Sequence, residues 1–399
     1  MAENTDVVVI GGGYAGVMAA NRLTQRDDVT VTLINPRRTF VERIRLHQLV
    51  GGSDDAVVEY AKILADRVRL TVDTVTRIDA AGRRVELASG GTVDYDYLIY
   101  AVGSGSADPR VPGAAEHAYP LADLEEAERL RPVVAAAPAP AAVVVVGAGP
   151  AGIETAAELA EAGRCVTLVC GGVLGPYLHP RGRRAVARRL AQLGVTVLDG
   201  PDTLVTEVTR EAVRLADGRE LPSEVTIWTA GFGVPDLAAR SGLSTDTLGR
   251  LRTDETLTSV DDPRIVAAGD CAAPSDLPFR LGCQSAVQLG PQATETVLSR
   301  IAGARPTPID VGFVGQCMSL GRRTGVFQFA RRNDLAISLY LGGRLGGRLK
   351  EFVCRSTVWQ LAYEARKPGA RTWWVKDGKR RHLLRAQHGE ASDTAGRAV

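Results

Sequence analysis

Two stretches of the chain share one grammar, and together they leave little freedom in how it folds. Residues 6–23 read DVVVIGGGYAGVMAANRL, and residues 141–163 read AAVVVVGAGPAGIETAAELAEAG. Each begins with a β-branched run, turns through G-x-G-x-x-G and continues into small residues of helical character. In the first, Gly11 permits a tight turn, Gly13 lets backbone approach a pyrophosphate, and Gly16 lets the helix lie close on the strand. Gly147, Gly149 and Gly152 repeat the arrangement 136 residues later. The helix starts carry Tyr14 and Ala15 in the first copy and Pro150, Ile153 and Glu154 in the second. They face such a phosphate with unpaired N–H groups and a partial positive charge. One motif alone is weak, because glycine-rich turns occur in other α/β units. Two copies, each after a strand, before a helix and ahead of another strand, predict two mononucleotide-binding units with one pyrophosphate each.

The strand after each cradle carries the next signal. VTVTLINP follows the first, and Asn35 falls 24 residues after Gly11, where an acidic residue usually binds ribose hydroxyls. Asparagine can accept and donate there without the charge. CVTLVC follows the second and ends at Cys170, 23 residues after Gly147, with no acidic residue in place. A carboxylate there would repel a 2′-phosphate, so NADPH is admitted beside NADH. Arg181, Arg183 and Arg184 lie downstream and suit either a 2′-phosphate or a solvated helix start. Cys165 and Cys170 have the spacing of a redox pair, but an odd separation on a strand puts them on opposite faces, about 16 Å apart at roughly 3.3 Å per residue. A disulfide needs about 7 Å or less, so both read as packing residues.

Two further stretches order the ligands. Residues 93–104, VDYDYLIYAVGS, form an apolar strand ending in small residues that include Ala101 and Gly103. Residues 263–274, PRIVAAGDCAAP, form another that ends at Gly269 and Asp270. With the two cradles, these motifs resemble the two-dinucleotide-binding-domain flavoproteins, the pyridine nucleotide-disulfide oxidoreductase superfamily, over about residues 6–305. The resemblance implies an α/β fold of two Rossmann-like, glutathione-reductase-like domains with a smaller α+β C-terminal domain. It implies FAD in the first cradle and NADH or NADPH in the second. Asp270 then binds the ribityl chain or pyrophosphate, Arg43 and Val75 join the FAD contacts, and Gly231 of TIWTAGF lies near the nicotinamide. The expected FAD domain spans about 1–118 and 255–305, the NAD(P)H domain 119–254, and the C-terminal domain 306–399.

Members with a disulfide substrate carry two cysteines after the second strand of the FAD domain. Here FVERIRLHQLVGG (residues 40–52) has none, so electrons leave by another route. Arg43, Arg45 and His47 stand in that place. They sit either beside the isoalloxazine, where a desolvated cation stabilises reduced flavin, or in packing and phosphate or solvent contacts. Residues 279–298, FRLGCQSAVQLGPQATETVL, predict a helix entered near Cys283, with Gln284 and Gln288 four apart on one face. The stretch is similar to the A-Q-x-A-x-Q of type II NADH:quinone oxidoreductases, which implies a quinone site beside the flavin; the other reading is a helix that only seats FAD. Cys283 reads as a small packing residue, although a helix N-terminus lowers a thiol pKa. The expected reaction is hydride transfer from NAD(P)H to FAD, then two-electron reduction of a quinone-type acceptor, with Gln284, Gln288 and His47 as catalytic candidates. A ferredoxin or rubredoxin reductase, a biosynthetic quinone or enone reductase, and an apoptosis-inducing-factor-like redox-sensing interaction protein share every motif.

The net charge of +2 hides an asymmetry: from residue 306 onward 17 Lys/Arg face 7 Asp/Glu, a net of +10, leaving −8 before it. The stretch containing SLGRR resembles the interface domain of quinone-reductase-like and apoptosis-inducing-factor-like flavoproteins. Beyond it, Leu345, Leu349, Phe352, Val353 and Trp359 fall near one helical face among Arg344, Arg348, Lys350 and Arg355. Packing of that face on the flavin domains is the favoured reading; a basic amphipathic helix on an anionic membrane is the other. Trp373 and Trp374 read as packing or dimer contacts, which admits a homodimer, and the polar stretch from Ala386 reads as a disordered tail. Apolar runs are strand-length and no signal peptide is evident, so the expected location is cytoplasmic, with any membrane association on the cytoplasmic face. The six cysteines suggest no disulfide scaffold, and no metal site is expected. No recognition motif accompanies the basic tail, so nucleic acid is not an expected partner.

Overall fold

The β-branched runs become the central strands of two five-stranded parallel sheets in the computed structural model, which describes residues 4–138, 140–370, 375–380 and 382–385. Trp373, Trp374 and the stretch from Ala386 lie outside the described residues. The first sheet runs in the order Ile265–Ala267, Tyr97–Tyr100, Thr5–Ile10, Val29–Asn35, Val68–Val72. The second runs Ala118–Pro120, Val225–Trp228, Ala142–Val146, Cys165–Val169, Thr196–Leu198. In both, the strand entering a cradle sits in the middle, with the strand after its helix on one side and a returning strand on the other.

Continuous Val/Ile runs form here because each sheet is covered on both faces. Val7 and Val9 pack into the cluster that holds the Tyr14–Leu23 helix, whereas Val8 and Ile10 pack on the opposite side with Val75, Ile78 and Val85. Val143 and Val145, and then Val144 and Val146, divide the same way in the second sheet. Each fully buried side chain of this size contributes about 1.5–3 kcal/mol. Each sheet also carries a three-stranded antiparallel meander ahead of its returning strand: Val75–Asp79, Arg84–Leu87 and Thr92–Asp94 in the first, Val205–Val208, Ala212–Leu215 and Glu220–Pro222 in the second.

Gly105 and Gly233 hydrogen-bond reciprocally, at 2.8 and 3.0 Å, where the chain passes between the two sheets. The Cys283–Ile301 helix lies on the Tyr14–Leu23 helix so closely that a Cβ on Gly290 would strike the Ala15 carbonyl. A third sheet, antiparallel, follows: Gly315–Ser319, Gly325–Ala330 and Ala336–Leu341. The chain then enters a 24-residue helix, Gly343–Arg366, which is tied back to the first helix by Asn21 Nδ2 donating to Leu361 O (3.1 Å) and by an Arg22–Glu364 ion pair (3.1 Å).

This last helix corrects the packing expected from its hydrophobic residues. Its inward face is Gly346, Lys350, Cys354, Thr357, Leu361 and Glu364, while Leu345, Phe352 and Trp359 point outward, Phe352 being 67% exposed. The cause is steric and electrostatic. Gly346 meets the Gly325 carbonyl, an approach only glycine allows, and that contact turns Lys350 inward to a buried carboxylate.

Candidate active site

Both cradles adopt the geometry their glycines require. Gly11 has φ +102° and Gly147 φ +134°, a region that side-chain-bearing residues avoid. A Cβ on Gly11 would run into the Ala101 carbonyl, and one on Gly147 into the Thr229 hydroxyl. Gly16 and Gly152 press on the carbonyls of Gly11 and Gly147. Gly13 and Gly149 differ, with nothing within 4 Å of where a Cβ would stand. They begin the helices Tyr14–Leu23 and Pro150–Glu161, and both helices lack a side-chain cap and an acidic residue in the first turn. Open space over bare helix N–H groups is what a pyrophosphate needs.

Asn35 ends the strand after the first cradle, but its amide is engaged with the glycine loop. Its Oδ1 accepts from Gly12 N (2.9 Å) and its Nδ2 donates to Arg37 O (2.9 Å). Tyr60 donates to Gly12 O at 2.8 Å from the other side. Asp270 lies in the Gly269–Cys271 turn, where Ser104 Oγ donates to its Oδ2 (2.7 Å) and Gly282 N to its Oδ1 (3.0 Å). Arg43 Nη1 is 3.6 Å from Asp270 Oδ2 and donates to Ser104 Oγ at 3.0 Å. Gly103 and Gly269 flank this group with φ of +72° and +81°. Val75 is placed elsewhere, in the core beneath the first sheet. Tyr14 is buried edge-on to Phe40, with centroids 5.0 Å apart. Ile153 is fully buried beneath the second cradle, and Gly231 stands beside Ala107 with φ +83°.

A buried polar cluster forms where elements from both cradles meet the third sheet and the last helix. Glu154, just over one turn into the second cradle's helix, receives Lys350 Nζ at 2.9 Å and Ser319 N at 2.8 Å. Ser319 Oγ stands 3.0 Å from His47 Nε2, and His47 Nδ1 is 3.9 Å from Glu154 Oε2. Burial alone would raise the Glu154 carboxyl, but the Lys350 ammonium, His47 and the Ser319 N–H together hold it below its ordinary value. Burial would likewise lower Lys350, and Glu154 reverses that, keeping the ammonium well above its usual range. Burial pushes His47 down to about 4, with Glu154 only partly opposing it. The result at neutral pH is a buried Glu⁻–Lys⁺ pair beside a neutral imidazole.

Residues 5–296 match the family described as pyridine nucleotide-disulphide oxidoreductase. The chain belongs to this family. Its relatives include an NADH dehydrogenase-like protein of Mycobacterium tuberculosis, 32% identical over 67% of this chain and 73% of that protein. They also include the type II NADH:quinone oxidoreductase of the same organism, 29% identical over 75% of this chain and 73% of that protein. The fold is shared with the solved NDH2 of Plasmodium falciparum in complex with NADH, at a TM-score of 0.75 and 16% identity over 91% of this chain and 97% of that one. Family membership implies FAD and NAD(P)H as the cofactors, and the two open cradles fit them.

The sequence singled out His47 and Glu154 separately, and the fold brings them together with Ser319, the first residue of SLGRR, and with Lys350, which the sequence placed only among the basic residues of the last helix. Arg45, the neighbour of His47, is committed instead to Glu42 and Glu351, each at 3.0 Å. Gln284 and Gln288 do share one face, but their amides hold backbone. Gln288 Nε2 donates to Gln284 O (2.9 Å) and Gly312 O (3.1 Å), and the Gln284 amide pairs with Val314 N (3.1 Å) and Gly315 O (3.0 Å). Gln288 Oε1 is buried with no partner among the described residues.

The thiols are structural in character. Burial pushes Cys283, Cys317 and Cys354 up to about 11, which outweighs the helix N-terminus at Cys283. Burial and nearby Asp199 push Cys170 up to about 12. Arg181 and Arg184 line a groove of about 520 Å³ against Ser338, Leu339 and Tyr340, and Arg183 donates to Leu178 O at 3.2 Å. Among the described residues no group of His, Cys, Asp or Glu could hold a metal ion, and no helix is long and apolar enough to cross a membrane. Ser104 carries a faint sequence signal as the last residue of VDYDYLIYAVGS, whereas Tyr60 carries none. Lys350, nearly 200 residues from Glu154, carries no sequence signal that links it to that carboxylate.

Proposed function

We propose that the chain takes a hydride from NAD(P)H onto FAD and delivers two electrons to a quinone-type acceptor. When bound, FAD supplies the two-electron chemistry. The observation that carries this reading is the buried Glu154–Lys350–His47–Ser319 cluster. A quinone gains two protons along with its two electrons, whereas an iron–sulfur carrier gains an electron alone. A site that holds a carboxylate, an imidazole and a hydroxyl within hydrogen-bonding reach, at the junction of both dinucleotide units, suits the first acceptor.

In this reading the Lys350 ammonium keeps Glu154 ionised and ready to accept a proton. His47, neutral, exchanges a proton with Glu154 through the Ser319 hydroxyl, which stands 3.0 Å from His47 Nε2 and 3.2 Å from Glu154 Oε1. Asp270, Ser104 and Arg43 position the FAD chain, and the two helix N-termini hold the pyrophosphates. Gln288 Oε1, without a partner among the described residues, offers an acceptor to a quinol hydroxyl.

The test is anaerobic rapid mixing of the FAD-loaded protein with NADH and NADPH, followed by turnover with a soluble quinone, a ferredoxin and ferricyanide. Quinone turnover should exceed ferredoxin turnover, and Glu154→Gln should lower it about a hundredfold. Fast ferredoxin reduction with negligible quinone turnover would reject the proposal in favour of a one-electron carrier.

A further inference from the structure

The Pro150–Glu161 helix places Glu154, Glu158 and Glu161 on one face, at i, i+4 and i+7. Glu161, at the outer end, is tied to Arg189 (3.3 Å) and to the backbone N–H of Arg322. Glu154, at the inner end, is paired with Lys350. Glu158 between them has no such anchor. Its side chain is only 4% exposed, and the nearest cation, Arg322, is half-exposed to solvent at 3.8 Å. Oε1 accepts from the Ser53 hydroxyl at 2.5 Å, and Oε2 is buried with no partner among the described residues.

A carboxylate placed this way weakens the fold, since a buried oxygen without a donor forfeits its hydration. A leucine would fill the space without that loss. The surroundings nevertheless accommodate the acid specifically. A Cβ on Gly51 would stand 2.6 Å from Glu158 Cγ, so the loop that covers the carboxyl is built around it. The charged and titratable groups facing it are Glu154 and Glu161 on its own helix and Arg322 beyond the first strand of the third sheet, with the Ser53 hydroxyl on the loop after the Leu46–Val50 helix. Burial, reinforced by Glu161 and Glu154, pushes the Glu158 carboxyl up against the pull of Ser53 and Arg322. Ser53 itself is exposed, so one carboxyl oxygen is a single hydroxyl from water.

We propose that Glu158 is the positioning residue through which the solvent proton reaches the Glu154–His47 cluster. The inference rests on the quinone reading. The hydride from NAD(P)H brings two electrons and one proton, and the quinol product holds two electrons and two protons. One proton per turnover is therefore drawn from water. Protonated Glu158 passes it inward to the cluster and is reloaded through Ser53.

The experiment compares the full-length, FAD-loaded wild type with Glu158→Gln and Glu158→Asp. For Glu158→Gln, quinone kcat should fall at least tenfold, with KM within a factor of two and a larger solvent isotope effect. Reduction of ferricyanide, which takes no proton, should hold. Glu158→Asp should restore more than half of the quinone kcat. Independently of turnover, infrared titration should show protonated-carboxyl absorption persisting above the ordinary glutamate range in the wild type, with one component, beside those of buried Glu42 and Glu364, lost in Glu158→Gln. Unchanged quinone kcat and pH profile in Glu158→Gln would overturn the relay, as would quinone and ferricyanide rates falling together. A wild type that reduces no quinone would instead remove the proposed function, and the relay with it.

Discussion

Replacing Lys350 by methionine isolates the energetics of the buried cluster. The substitution keeps most of the volume and removes the charge, leaving Glu154 facing an apolar neighbour. The pair is close, at 2.9 Å, and the two side chains are 8% and 6% exposed, so little solvent screening softens the loss. Stranding one partner of such a pair costs about 3–5 kcal/mol. Glu154 has an escape, because it can take up a proton at about 1.4 kcal/mol for each unit between its pKa and the solution pH. The loss is therefore bounded, and it depends on pH. In the wild type the Glu154 carboxyl is held below its ordinary value, so its contribution to stability is full above that value and is lost as pH falls. In Lys350→Met burial is opposed only by the Ser319 N–H and His47, and the raised carboxyl makes the variant lose stability as pH rises through its new value. The gap between the two proteins should thus widen from pH 5.5 to pH 8, reaching about 3 kcal/mol or more. Lys350→Met/Glu154→Gln should recover most of it. Thermal unfolding followed both by flavin fluorescence and by circular dichroism at a series of pH values reads this out, two probes being needed for a chain with several units. A loss under about 1 kcal/mol, flat in pH and additive with Glu154→Gln, would refute the reasoning.

Further outcomes follow from the same geometry. His47, held at about 4 against an ordinary value of 6.5, should cost the fold about 3 kcal/mol as pH falls from 6.5 towards 4, because the unfolded chain takes up the proton first; His47→Phe should flatten acid unfolding curves over that window. Gly13→Val adds a side chain where nothing lies within 4 Å, so the apoprotein should fold with an unchanged circular dichroism spectrum yet purify colourless. Gly11→Ala, with φ +102° and the Ala101 carbonyl in the way, should instead lower the melting temperature of the protein itself. The outward Phe352 and Trp359 on a helix that also exposes Arg344, Arg348 and Arg355 should bind anionic vesicles in a salt-sensitive way, and Phe352→Ser/Trp359→Ser should abolish sedimentation with them while leaving NADH oxidation by ferricyanide intact.

What the sequence made legible was what local sterics dictate. Gly11 and Gly147 need backbone conformations that only glycine adopts freely, and Gly16 and Gly152 need helix–strand contacts that only glycine permits, so the cradles can be read from spacing alone. Asp270 and Arg43 came from separate motifs, and the fold sets Arg43 Nη1 3.6 Å from Asp270 Oδ2. The buried cluster was hidden because its members come from four distant parts of the chain: His47, Glu154, Ser319 and Lys350. No periodicity joins them; only the packing of the third sheet does. The last helix misled for a related reason. Its apolar residues suggested an inward face, yet the face that packs is glycine, lysine, cysteine and threonine, chosen by close approach to Gly325 and by the need to neutralise Glu154. Asn35 ends the strand after the first cradle and the two glutamines share one helix face, and the amides of all three serve the backbone nearby.

That helix carries Lys350 on one side and Phe352 on the other, two residues apart on a single rigid rod. A load on its outer flank is delivered to the ammonium inside without passing through any loop or hinge. A shift of the rod would lengthen the 2.9 Å contact that holds the Glu154 carboxyl below its ordinary value. The outer flank and the buried ion pair thus belong to one rigid element, and anything that moves the first moves the second.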